Sequence, residues 1–309
     1  MLDVRRLGLL RDLAHLGTIA AVAQARAYTP SAVSQQLAAL QRDAGVPLLE
    51  HAGRRVSLTP AGMSLVRHTE TVLAALEAAD AGLAAARAGL AGAVRIGAFP
   101  SAVQTLLPPA LVALGRDHPA LELMVTELDP VAVPGALRDR RLDVALVHDY
   151  DLVPVEPDPA LDSVPLLDET VFLAVPAGPG ESGPARDPVA EARHADWIVA
   201  SPGTLCHAVA LQACRAAGFA PRVRHHADDF TAVLALVAAG QGVSLVPQLG
   251  AARPPPGVRF RPLPARRRNR IAYRRGAGGH PAVAACVEAL RAAARAFVSG
   301  PGAEPPAGP

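Results

Sequence analysis

Residues 28–42 of this 309-residue chain read YTPSAVSQQLAALQR, and the reading of that stretch decides the fold of its first sixty residues. Thr29 followed by Pro30 marks a helix start, because the hydroxyl caps a free backbone N–H and proline fits the first turn without forfeiting a hydrogen bond. Val33, Leu37 and Leu40 recur at i, i+4 and i+7, a stripe for burial. Ser31, Ser34 and Gln35 fall on another side, which is short, uncharged and able both to donate and to accept hydrogen bonds. Upstream, Leu9, Leu13 and Leu16 predict a first helix ended by Gly17, and Thr18 caps a second, IAAVAQAR. A tight turn at Ala27 and Tyr28 follows. Two short helices, a turn and a polar-faced helix describe a helix-turn-helix, whose last helix offers its first residues to base edges in a major groove. Serine and glutamine suit base edges, and a face without acids does not repel phosphate. The competing reading is an ordinary polar surface on a helical hairpin.

The next stretch, VPLLEHAGRRVSLTPAG, places Gly53, Arg54 and Arg55 between two short apolar runs, as in a hairpin with a basic tip. Such a wing lies along phosphates or in a minor groove, where arginine is favoured; two solvated arginines on a loop are the alternative. Thr59-Pro60 repeats the cap-plus-proline signal and opens an Ala/Leu-rich helix expected to reach about residue 88. Leu65, Val72, Leu76 and Leu83 recur along one side of it, and a second copy of the same helix is the natural cover.

Charge is unevenly spread. All 30 Lys+Arg residues are arginine; residues 1–59 carry seven against four carboxylates, whereas residues 117–196 carry five against seventeen. A basic head and an acidic body imply that only the head meets a polyanion. Apolar runs such as AVLALVAAG stop well short of the ~18 residues a membrane span needs, and charges interrupt the N-terminus where a signal peptide would be unbroken. A cytoplasmic protein with no membrane partner is expected. Cys206, Cys214 and Cys286 have no CxxC spacing, and no cofactor motif is present, so neither metal nor cofactor is expected. On one helix, Cys206 and Cys214 would stand ~12 Å apart along the axis, too far for a disulfide without unwinding.

From Gly92 strands alternate with helices. AVRIGA, LELMVTEL and DVALVHD read as strands with helices near 102–115 and 131–140 between them, and a second set follows: SVPLLDETVFLAVP, DWIVA, a helix near 205–217, RVRHH, a helix near 229–239 and GVSLVP. The chain returns through VRFRPLP and RIAYRR to a last helix near 281–298. Ser101 and Thr204 stand at helix starts, where hydroxyls and free N–H groups suit a carboxylate or another anion; simple capping is the other reading. His207, His225 and His226 do not make a metal set, since adjacent strand residues point to opposite faces. The arginines of RRRNRIAYRR, 266–275, suggest a solvated crossover between lobes or a second nucleic-acid patch. The Pro/Gly-rich tail from residue 300 to 309 is expected to be disordered.

Taken together, these residues resemble the LysR-type transcriptional regulators over nearly the whole chain. The more specific part is TIAAVAQARAYTPSAVSQQLAALQRDAGVPLL followed by VSLTPAG, which has that family's spacing of helix-turn-helix, wing and linker helix. Gln41 stands where the family has Glu, and Leu49 and His51 stand where it has Phe and Arg, which leaves Arg54 and Arg55 as the wing cations. DVALV and AAGQGVSLVP match two strand regions of its effector domain. The resemblance implies a winged helix-turn-helix at 1–59, a linker and dimerisation helix at 60–91, and a two-lobed α/β effector domain at 92–299. That domain would be like a periplasmic binding protein, with lobe I at about 92–163 and 268–299 and lobe II at about 164–267. Double-stranded DNA would meet Thr29, Pro30, Ser31, Ser34, Gln35, Arg54 and Arg55. A small-molecule effector, an anion among the candidates, would meet Ser101, His148, Ser201, Gly203 and Thr204. The assembly would be a homodimer or homotetramer. A transport-type binding protein would share the lobes but leaves the N-terminal helices unexplained, and an enzyme has no support, for G-x-S-x-G, H-E-x-x-H and P-loop motifs are all missing.

Overall fold

The computed structural model describes residues 1–52, 55–87, 89–178 and 187–300, and the chain divides into two compact units. The first comprises Met1–Ala86 with the segment Arg275–His280; the second comprises Arg87–Arg274 and the chain from Pro281 onward.

In the first unit, α1 (Val4–Leu16), α2 (Ile19–Arg26) and α3 (Pro30–Ala44) are followed by the hairpin β1 (Leu49–Ala52) and β2 (Arg55–Leu58) and by α4 (Pro60–Ala85). Side-chain oxygens of Asp3, Thr18, Thr29 and Thr59 each accept from backbone N–H groups at the four helix starts. Leu10, Leu13, Val22, Val33, Leu37, Leu40 and Leu48 form the core of the three-helix head. Leu16, expected in the stripe of α1, is instead exposed beside the Gly17 cap, because the helix ends before another turn can cover it. The turn between α2 and α3 is made by Ala27 at φ +53°, a left-handed residue without the freedom of glycine. Asp12, buried, binds Arg11 at 2.9 Å and Arg26 at 2.5 Å, tying α1 to α2.

Gln41, a departure from the family pattern, has a structural role: its Oε1 accepts from the N–H groups of Leu48 and Leu49 at 2.9 and 3.0 Å, anchoring the hairpin to α3. At the start of α4, Thr59 donates its hydroxyl to Pro47 O at 2.8 Å while capping Gly62 N at 3.0 Å. Gly62 is needed there, because a Cβ would lie 2.2 Å from the Leu48 carbonyl oxygen. The expected single stripe on α4 divides: Leu65 packs against the head core, while Val72, Leu76 and Leu83 remain exposed. The helix ends at Ala85, and residue 88, where its end was expected, lies outside the described residues.

The second unit runs β3 (Gly92–Ala98), α5 (Pro100–Thr105), α6 (Leu107–Asp117), β4 (Leu121–Glu127), α7 (Val133–Arg138), β5 (Val144–Tyr150) and β6 (Leu161–Pro176). It continues with α8 (Pro188–Glu191), β7 (Asp196–Val199), α9 (Leu205–Ala216), β8 (Arg222–His226), α10 (Phe230–Ala238), β9 (Ser244–Pro247), β10 (Val258–Arg274) and α11 (Pro281–Ser299). The helix expected near 102–115 is two, parted at Leu106, since Pro108 and Pro109 lack the N–H groups that would carry one ladder through. Strands join in the order β4-β3-β5-β10-β6-β9, with β3 parallel to β4 and β5, and β10 antiparallel to both β5 and β6. Strands β7 and β8 form a separate parallel pair. The segments VRFRPLP and RIAYRR are thus one 17-residue strand, and its long partner β6 runs beside it through the middle of the unit.

This corrects the reading of the arginine run. From Leu263 to Asn269 the strand alternates buried and exposed, so Arg267 is 1% exposed while Arg266 and Arg268 face solvent. Arg268 pairs with Asp149 and Asp151, and Arg266 bonds Thr170, so these cations are engaged within the fold rather than presented as a nucleic-acid patch. Of the tail expected to be disordered, residues 301–309 lie outside the described residues.

Candidate DNA-reading helix and effector site

The stripe of α3 predicted from the sequence is buried: Val33, Leu37 and Leu40 are each at most 1% exposed. That packing turns Thr29, Pro30, Ser31, Ser34 and Gln35 outward, all exposed over the first two turns. Thr29 also caps the helix, accepting from Ala32 N at 3.2 Å. Neighbouring Gln36 is held by Arg6 Nε at 3.0 Å, and Arg6 in turn binds Asp43 at 2.6 Å, so Gln36 is engaged beside the Ser/Gln face. Of the wing cations, Arg54 and the side chain of Arg55 lie outside the described residues.

In the second unit, three strands place chemistry on one face. Tyr150 of β5 stands opposite Arg267 of β10, which stands opposite Glu169 of β6; one step along, His148 faces Asn269, which faces Leu167. Period two sends Tyr150, His148, Arg267, Asn269 and Glu169 to the same side, where all are buried. Arg267 donates through Nε to Glu169 at 2.5 Å and through its terminal nitrogen to Ser101 Oγ at 3.1 Å, and its Cζ lies 4.8 Å from the Phe99 ring centroid. Asn269 Nδ2 donates to Glu169 at 2.7 Å and to Leu167 O at 3.1 Å, while Leu249 N–H donates to the other Glu169 oxygen at 2.6 Å. Burial, the largest single influence, opposes the Arg267 charge, but Glu169, Tyr150 and Cys206 together outweigh it and the guanidinium titrates above its usual value. The result is a neutralised ion pair in a dry setting, not an unpaired cation.

His148 lies edge-on between Phe99, 4.7 Å away, and Tyr150, 5.4 Å away. Burial, then the Arg267 charge, hold its imidazole well below the ordinary pKa, so it is neutral. Neither ring nitrogen has a hydrogen-bond partner, and nor does Asn269 Oδ1 directly across the ladder. The Tyr150 hydroxyl meets Cys206 Sγ at 3.6 Å, which brings α9 to the same cluster.

The other expected effector residues fall at the start of α9. Thr204 caps it, accepting from His207 N at 3.2 Å and donating to Ser201 O at 2.8 Å. Ser201 donates both its N–H and its hydroxyl to Asp228 at 2.7 Å. Gly203 turns the chain before the helix at φ +92°. Ser101 lies inside α5 rather than before it, with its hydroxyl turned to Arg267. The hydroxyls expected to receive an anion are therefore engaged internally: Ser201 on a carboxylate, Thr204 on its own helix. Across the same unit, Gln104 of α5 donates to Asp229, the cap of α10, at 2.8 Å.

Arg267, Glu169, Asn269 and Tyr150 went unnoticed in sequence because the cluster depends on the register of β6 against β10, about a hundred residues apart. A buried acid within the apolar run DETVFLAV was the available signal. Among the described residues no group of three or more His, Cys, Asp or Glu is gathered for a metal, and no helix is long and apolar enough to cross a membrane.

Comparison with known proteins places this geometry. Residues 4–63 match the bacterial regulatory helix-turn-helix protein description of the lysR family, and residues 87–295 match the LysR substrate binding domain. A probable hydrogen peroxide-inducible genes activator from Mycobacterium avium is 31% identical over 227 residues, 73% of this chain and 71% of that protein. The transcriptional dual regulator GltC of Bacillus subtilis is 28% identical over 218 residues, 71% of each. Among solved structures, a cysteine mutant of Corynebacterium glutamicum OxyR superposes with a TM-score of 0.58 at 25% identity, covering 97% of this chain and 93% of that one. CbnR bound to its target DNA gives 0.53 at 25% identity, covering 94% and 100%. The two matched segments take in the helical head and most of the domain that follows, and the chain belongs to the LysR family of transcription regulators, with a DNA-binding helix-turn-helix and a substrate-binding domain.

Proposed function

We propose that Ser31, Ser34 and Gln35, with Thr29 and Pro30 beside them, read a specific DNA site, and that Arg54 and Arg55 hold the flanking phosphates. The observation that carries this reading is the outward, acid-free face on the first turns of α3 over a fully packed head. The chain acts in the cytoplasm as a regulator and binds its effector without transforming it. Exposed Val72, Leu76 and Leu83 on α4 support pairing of two copies through the segment 60–91, and two-fold pairing requires inverted half-sites near multiples of a ~10 bp turn. The effector domain spans 92–299, its lobes divided along β6 and β10, with the effector held at the cluster that includes Ser101 and His148.

Hydrogen peroxide is named for several relatives. In this chain burial pushes the Cys206 thiol up, and Cys214 is pushed up to about 12, so neither is a ready thiolate at neutral pH. The two share α9, ~12 Å apart along its axis. These observations favour a reversibly bound effector over thiol oxidation. The test is a mobility-shift titration with DNA from upstream of the gene: Gln35→Ala should cost about 1–3 kcal/mol on the specific site and little on random DNA. Equal losses on both would refute base reading. Arg54→Ala with Arg55→Ala should instead weaken both and lower the salt slope by about one for each phosphate no longer neutralised.

A further inference from the structure

We infer that the effector of this chain is a compact, uncharged molecule carrying a hydrogen-bond donor beside an acceptor, as an amide does, and that His148 with Asn269 recognises it. The inference rests on the effector-site reading above and names its ligand class.

Two observations carry it. First, three buried polar atoms on one stretch of the β5–β10 ladder have no partner: both ring nitrogens of His148 and Asn269 Oδ1. Native proteins pair nearly all such atoms, because leaving one dry and unpaired is costly. A neutral imidazole presents one N–H and one bare nitrogen, and Asn269 adds an acceptor, its amide nitrogen being fixed by Glu169 and Leu167. The complement of that set is a group that both donates and accepts. The T-shaped packing of Phe99 and Tyr150 around the ring restricts it to a small one.

Second, the electrostatics oppose an anion. The buried cation at the cluster, Arg267, is already matched by Glu169 at 2.5 Å. At the start of α9, the N–H and hydroxyl of Ser201 are held by the Asp228 carboxylate, which would repel a second negative charge. An anion moved from water to this site would lose its hydration and gain no unmatched positive charge. An uncharged group loses far less and satisfies atoms that otherwise have no partner.

The test uses the full-length protein and matched pairs of probes, acetamide against acetate and benzamide against benzoate, at pH 7.5 and constant chloride-balanced ionic strength. Thermal stabilisation is followed against probe concentration. The amides should raise Tm with concentration and the carboxylates should not. His148→Phe keeps the ring packing without the nitrogens and should weaken the amide response at least about tenfold, a loss of 1.4 kcal/mol. His148→Gln, which keeps a donor and an acceptor, should retain it. Carboxylates that stabilise as strongly as their amides, amides that act equally on the Phe variant, or amides that never stabilise the wild type would each overturn the inference. Those comparisons in the wild type need no variant to fold. A protein that binds its DNA site but ignores every amide sinks this inference and leaves the regulator reading standing; one that fails to shift any specific DNA sinks the regulator reading instead.

Discussion

At the scale of single residues, the unusual group is a histidine kept neutral by its surroundings. Its folded pKa lies well below the ordinary value, while in the unfolded chain it returns to about 6.5. Between those values the unfolded state binds a proton that the folded state does not, so stability rises with pH there and falls on acidification. His148→Phe should therefore remove up to about 1.4 kcal/mol of stability loss per pH unit below pH 6.5, measured as the difference in denaturant-unfolding profiles between variant and wild type. The same variant should be no less stable at pH 7.5, since exchanging an unpaired polar ring for an apolar one of similar shape deletes an unsatisfied group. Identical pH profiles would show that His148 is protonated as readily folded as unfolded. Arg267 and Glu169 illustrate the opposite solution: two charges removed from water together, each supplied with hydrogen bonds, so that neither is left as an unpaired buried charge.

At the scale of elements, the head depends on close approaches that its sequence announces. Gly62→Ala should destabilise the first unit by about 1–3 kcal/mol, because the Leu48 carbonyl is backbone and cannot swing aside from a Cβ 2.2 Å away; an unchanged Tm would mean the start of α4 can slide. On the same helix Leu76→Glu places a charge in the exposed apolar stripe, and sedimentation velocity should show dissociation at concentrations where the wild type is associated. A sedimentation coefficient unaffected by Leu76→Glu would remove α4 from the interface. The contrast between the two units explains what sequence could reveal. Helices α1 to α4 were legible because Thr18, Thr29, Thr59 and Gly17 mark ends locally and Val33, Leu37 and Leu40 mark a buried stripe, all within one turn or two of their partners. The buried cluster of the second unit was only half legible. Ser101 and His148 could be carried over by position, but Arg267 looked like one of several solvated arginines, and only the register of β10 between β5 and β6 turns it inward to Glu169. The period of two was hidden there, since the surrounding arginines are alike in type and differ only in face.

At the scale of the whole molecule, regulation is a coupling free energy between the DNA-reading head and the effector site, whatever motion transmits it. An effector that shifted the chain from 1:99 to 99:1 between two states would need ~5.5 kcal/mol of differential affinity, and one that binds both states equally shifts nothing. A small uncharged ligand touches few groups, so a coupling of about 1–3 kcal/mol is the realistic expectation, graded in effect rather than all-or-none. Linkage makes this checkable from either end: if a ligand changes DNA affinity by some factor, saturating specific DNA must change ligand affinity by the same factor. The measurement is a pair of titrations, ligand into protein with and without the specific duplex, and duplex into protein with and without ligand, at one salt concentration because DNA affinity depends steeply on salt. Equal factors between about 5 and 150 are expected. A ligand that binds tightly while both factors stay at one would occupy the cluster around His148 without serving as the effector, and the search for the regulatory molecule would then move to another surface of the second unit.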